Sequence, residues 1–118
     1  GAKLDALKNG SPPFYEPGLR EMLREHTASG RLKFVSDTAS VVREATILFI
    51  CVGTPESSNG RPDLSQVEQV ARTIAGHLDQ YRLIVEKSTV PVTTAGWIRN
   101  TLALHSNGAA DFDVASNP

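Results

Sequence analysis

The chain has a single cysteine among its 118 residues and no apolar run near the roughly 20 residues that a bilayer-crossing helix needs. It also lacks any marked excess of one charge sign. One cysteine excludes an internal disulfide and any cysteine-cluster metal site, and makes the cytoplasm the default compartment. Lysine and arginine number 12 against 13 acidic residues, a net charge of -1. That balance gives no electrostatic reason to expect DNA, RNA or an anionic membrane as partner. No secretory signal pattern opens the chain. His26, His77 and His105 are scattered over predicted helices, where surface or helix-end roles suit them better than metal ligation. What is present, 40% apolar and 21% charged residues, is the composition of one soluble globular domain with a real core.

The organising stretch is Ile47 to Val52, a continuous apolar run that ends in Gly53-Thr54-Pro55. An unalternating run reads as a strand covered on both faces, the habit of parallel sheets flanked by helices. Gly53 removes a side chain where the strand ends, and Pro55 cannot continue a ladder. In open α/β sheets ligands sit beyond the carboxyl ends of strands, which makes Val52 to Pro55 a candidate ligand contact. An ordinary tight turn after a buried strand would leave the same trace.

Along the rest of the chain, Lys3 to Lys8 reads as a helix stopped by Asn9-Gly10. Pro17, with Glu16 beside it, opens a second helix that Gly30 ends, its apolar stripe carried by Leu19, Met22, Leu23 and His26. Tyr15 to Leu19 reads as a helix-entry motif that packs the loop. Leu32 to Val35 is a short strand, and Asp37 can cap a helix bearing Val41, Val42 and Ala45. After the polar loop 56–62, Asp63 and Gln66 form a capping-box pattern. They open a helix in which Val67, Val70, Ala71, Ile74 and Leu78 recur at helical spacing. Arg82 to Glu86 is a strand running into Lys87-Ser88-Thr89-Val90-Pro91. Thr93 or Thr94 can cap a helix bearing Trp97, Ile98 and Leu102, and Phe112 to Ala115 is a last strand ending in Ser116-Asn117-Pro118. Strands separated by helices imply a parallel sheet, and the ends of the three later strands should share one rim.

Those strand ends, with Leu7-Lys8-Asn9-Gly10, Tyr15-Glu16-Pro17-Gly18-Leu19, Gly30-Arg31-Leu32 and Asp63-Leu64-Ser65, resemble the NAD-binding domain of the UDP-glucose/GDP-mannose dehydrogenase family. The resemblance runs over essentially the whole chain. It implies an α/β fold, a Rossmann-like doubly wound parallel sheet, here incomplete, with its first two strands and Gly-x-Gly-x-x-Gly turn absent. It implies NAD as cofactor and a parent enzyme that oxidises the sugar primary alcohol of UDP-glucose, or of a related UDP or GDP sugar, to a carboxylate. Val52, Gly53, Thr54, Pro55, Ser88 and Thr89 would then border NAD, and Thr89 would help hold a water for thioester hydrolysis. Lys87 could favour the anionic cofactor, although a lysine at a strand end is commonly just solvated. The family's nucleophilic cysteine belongs to later domains. Cys51, mid-run among apolar residues, reads instead as a packed core thiol.

These readings make 1–118 a partial dinucleotide-binding domain, inactive alone, that meets its nucleotide-sugar substrate through other domains. With the family's first strand absent, Ile47–Val52, Leu83–Glu86 and Phe112–Ala115 should form a three-stranded parallel remnant. Leu32–Val35 would then be displaced, or would pair with another chain or with residues outside this sequence, and an exposed edge would invite self-association. Two other readings fit the residues: a non-enzymatic α/β interaction module or degenerate remnant, and the cofactor domain of a β-hydroxyacid dehydrogenase relative.

Overall fold

The computed structural model describes residues 1–88, 91, 93–106, 108 and 111–117, which divide into two units, 1–37 and 38–118. In the first, helix α1 (Ala2–Lys8) stops as Asn9-Gly10 predicts. Gly10, at φ +69°, takes the left-handed turn that lets its N–H reach the Leu7 carbonyl at 2.9 Å and the Ser11 N–H reach that of Ala6 at 2.9 Å. Helix α2 (Leu19–Ala28) starts later than Pro17 suggests, because Gly18 occupies the N-cap position in the left-handed conformation, φ +79°. The turn is closed by the backbone, with the Leu19 N–H on the Glu16 carbonyl at 3.1 Å, so no aromatic ring is needed to brace it. Tyr15 accordingly stands 89% exposed, against the expectation that this motif packs its loop. Residues 32–35 form no strand. A lone extended segment has no ladder to hold it, and the expected Leu32–Val35 strand is lost for that reason.

The second unit contains α3 (Thr38–Glu44), β1 (Ile47–Ile50), α4 (Ser65–Ala75), β2 (Arg82–Glu86), α5 (Thr94–His105) and β3 (Phe112–Ser116). The strands form one parallel sheet in the order β1-β2-β3, the three-stranded arrangement expected from the sequence. Its register pairs Leu48 with Ile84 and Ile84 with Val114. Leu48, Ile50 and Ile84 therefore share a face, and that face meets Val42 of α3, Val67, Ala71 and Ile74 of α4, and Ile98 and Leu102 of α5 in one buried cluster. Trp97 and Val114 pack against its margin, so the tryptophan is a packing residue. Thr93 sits at the N-cap of α5 without capping it. Its backbone is already helical, which turns the hydroxyl away from the first-turn amides.

Two expectations for β1 are overturned together. The strand ends at Ile50 and lies at the sheet edge, with Ile47 51% and Phe49 60% exposed, so only one of its faces is covered. Side chains alternate along a strand, and 47, 49 and 51 share the outward side. Cys51 follows that alternation and is exposed rather than packed in the core. β2 is the strand enclosed on both faces.

Arg82 is buried at the entry to β2, and its guanidinium works as a pin. Nε donates to the Val42 carbonyl at 2.7 Å, Nη1 to Tyr81 O at 2.9 Å, and Nη2 to Arg43 O and to Asp79 Oδ1 at 3.1 Å. The carbonyls of Val42 and Arg43 belong to the last turn of α3, where no intrahelical donor serves them. One fork thus satisfies a helix end and fixes it to the sheet. Arg82→Met should keep the packing volume but strand those carbonyls, lowering stability by about 1–3 kcal/mol. The urea midpoint of the variant reads this out, with Arg82→Lys recovering only part of the loss.

Candidate functional site

The carboxyl ends of the three strands lie side by side. Past β1 the chain continues through Cys51, Val52 and Gly53. Past β2 the Lys87 N–H donates to the Ile50 carbonyl at 3.0 Å, and past β3 the Asn117 N–H donates to the Glu86 carbonyl at 2.9 Å. The ladder is thereby carried one residue beyond the strands on both sides of β2. Ser88 then crosses back. Its hydroxyl donates to the Val52 carbonyl at 2.8 Å, lying 3.5 Å from that of Ile50. The common rim expected from the strand-end motifs is present, and Ser88 ties the Gly-Thr-Pro segment to the Lys-Ser segment.

Individual residues sort as follows. Gly53 is exposed, its φ lies outside the left-handed region, and a Cβ placed on it would meet none of the described residues within 4 Å. Neither backbone geometry nor packing among the described residues demands glycine there. Val52 and Thr54 are half-buried, and Pro55 is exposed. Lys87 is exposed, as a solvated lysine would be. Thr89 lies outside the described residues. The loop after Pro55 is better ordered than its polar composition implied. Glu56 and Pro62 form an antiparallel bridge, Gly60 at φ +74° makes the turn, and the Asp63 N–H returns to the Pro55 carbonyl at 2.7 Å. The loop therefore closes on the rim. Asp63 then accepts the Ser65 N–H at 2.9 Å, capping α4 from one position before its N-cap, Leu64.

Sequence reading missed Glu86. This last residue of β2 is fully buried, its Oε1 accepts the Ser88 N–H at 2.9 Å, and its Oε2 has no partner among the described residues. The available signal was a carboxylate at an inward position of a strand. Among the described residues no group of three or more metal-ligating side chains occurs, and no helix is long and apolar enough to cross a membrane. Two hollows, both in the first unit, are lined by residues such as Phe14 and Arg20 and by Asn9 and Arg24, and neither includes a rim residue.

The model of the UDP-glucose/GDP-mannose dehydrogenase family NAD binding domain matches residues 1–118. The chain belongs to this family. It is 44% identical over 117 residues to UDP-glucose 6-dehydrogenase TuaD of Bacillus subtilis, covering 99% of this chain and 25% of that protein. It is 36% identical over 122 residues to GDP-mannose 6-dehydrogenase of Pseudomonas syringae, covering 98% and 28%. Among solved structures, a UDP-glucose dehydrogenase of Pyrobaculum islandicum superposes with a TM-score of 0.92 at 37% identity, over 99% of this chain and 28% of that one. A ternary complex of GDP-mannose dehydrogenase from Pseudomonas aeruginosa gives 0.91 at 34% identity, over 100% and 28%. The dehydrogenase-family fold is thus Rossmann-like α/β, its cofactor is NAD, and the chain spans about a quarter of the length of the relatives it matches.

The cap on α4 gives the rim loop a pH signature. The Ser65 backbone N–H, and then its side chain, hold the Asp63 carboxyl below its ordinary value of 3.8. A carboxylate depressed in the folded state contributes stability above its unfolded pKa, and that contribution disappears as pH falls through the lower folded value. Asp63→Ala should therefore be less stable than the parent at neutral pH, with the gap narrowing below pH 3.8. Urea midpoints across pH 2.5–7 check the convergence, at roughly the acid range where a capping carboxylate titrates.

Proposed function

We propose that this rim borders NAD in an enzyme that oxidises the primary alcohol of UDP-glucose, or of a related nucleotide sugar, to a carboxylate. The observation that carries the reading is Gly53. It is a glycine that its own backbone and the packing of the described residues leave unexplained, with none of them within 4 Å of where its side chain would be, at the carboxyl end of a parallel strand. That is where an α/β sheet receives its ligand, and a missing Cβ allows a peptide unit to approach a ribose or phosphate closely. Bound NAD supplies the hydride acceptor.

The chain's own residues hold and orient. Val52, Gly53, Thr54 and Pro55 form the wall beside the cofactor. The Ser88 hydroxyl is committed to the Val52 carbonyl, so Ser88 acts by fixing that wall against the β2 end. Thr89, next in sequence, supplies a hydroxyl that positions water without acting as a strong base. The substrate-binding residues and the nucleophilic cysteine belong to domains beyond this one, and the 118-residue segment alone has no turnover. The parent works in the cytoplasm without membrane or nucleic-acid partners. The outward Ile47 and Phe49 on the sheet-edge strand β1 support a further expectation, that the isolated segment self-associates through that edge.

Gly53→Ala separates ligand approach from folding. At a φ that alanine accepts, the substitution should leave stability unchanged or raise it by about 0.4–1 kcal/mol. In the full-length enzyme the same change should raise KM for NAD by about tenfold or more, as expected when roughly 1.4 kcal/mol of contact is lost. An unchanged KM for NAD, with the stability gain present, would remove Gly53 from the cofactor wall.

A further inference from the structure

Among the described residues Glu86 is the one charged side chain at the carboxyl end of the sheet that is wholly enclosed. It occupies the last position of the central strand, in register with Ile50 on one side and Ser116 on the other, and its own carbonyl receives the Asn117 N–H. Its side chain reaches forward along the chain so that Oε1 accepts the Ser88 N–H at 2.9 Å. The same Ser88 sends its hydroxyl to Val52. Among the described residues the Glu86 carboxylate makes no ion pair, and Oε2 is buried without any hydrogen-bond partner.

A carboxyl group enclosed with one oxygen unmatched is an expensive way to fill a core, and an apolar side chain of the same size would pack there at lower cost. What the carboxylate adds, and a hydrocarbon cannot, is an acceptor for the amide two residues on. That amide is unavailable to the ladder, since the chain leaves the sheet at Lys87. Without an acceptor the Lys87–Ser88 turn has no internal restraint, and the Ser88 hydroxyl loses its fixed approach to Val52.

We propose that Glu86 is a positioning residue: its buried carboxylate sets the Glu86–Lys87–Ser88 turn and so holds the two rim segments in register. This rests on the reading that the rim borders NAD. The role concerns geometry, so removing the acceptor should loosen the rim while leaving the fold intact.

The test uses Glu86→Gln, whose amide oxygen keeps the acceptor, and Glu86→Met, which keeps the volume and removes it. Each is made in the full-length enzyme and in the 118-residue chain. In the Met variant the unfolding midpoint should hold or rise, while hydrogen exchange of the Ser88 amide should accelerate about ten- to a hundredfold, the range for losing a bond to a charged acceptor. KM for NAD should rise with it, and the Gln variant should stay within about threefold of the parent on both readouts, since the retained bond differs only in charge assistance. Unchanged Ser88 exchange in the Met variant would overturn the proposal. So would its failure to fold, which would make Glu86 a structural residue. If exchange responds as expected but KM for NAD does not move, the turn is positioned as proposed and the cofactor reading of the rim is what fails.

Discussion

The hydrogen bond from the Ser88 hydroxyl to the Val52 carbonyl, 2.8 Å long, is the constraint on which the carboxyl rim depends. Parallel strands bring their ends to the same side of a sheet, but nothing in a ladder dictates what the chain does after the last rung. Once β1 and β2 are left behind, Gly53 and Lys87 begin segments of very different composition. The serine joins them while both are still within reach of the sheet. Glu86 stands behind that joint, and the return of Asp63 to the Pro55 carbonyl stands in front of it. The three contacts turn separate loops into one continuous border.

Much of this border was legible in the amino-acid order, because its signals are stereochemical. Glycine and proline end strands for reasons intrinsic to their backbones, and Gly53, Pro55 and Pro91 mark the departures from the sheet. Apolar periodicity placed α4 and α5, and the boundaries of β2 fell where expected, at Arg82 and Glu86. The role of Ser88 was less legible. A hydroxyl at a strand end invites a ligand, and only coordinates reveal that a neighbouring carbonyl has already claimed it.

What the order of residues hid was the fate of side chains whose environment is tertiary. Arg82 and Glu86 are the charged ends of an apolar strand, and nothing in the order of residues marks them as buried, yet both are, one serving the last carbonyls of α3 and the other an amide beyond the sheet. The run from Ile47 to Val52 carries no polar residue to mark an outward face, so the exposure of Phe49 and Cys51 could not be read from it. Leu32 to Val35 has strand-forming residues but no ladder, and propensity without pairing does not make a strand.

Arg82 has a mechanical consequence. The central strand is clamped at its entry by a guanidinium fastened to α3 and at its exit by a web of rim hydrogen bonds, so it behaves as a beam fixed at both supports. The two fastenings differ in kind: the entry is held by a side chain of the strand reaching into the last turn of a helix, the exit by bonds between the strand and its own following turn.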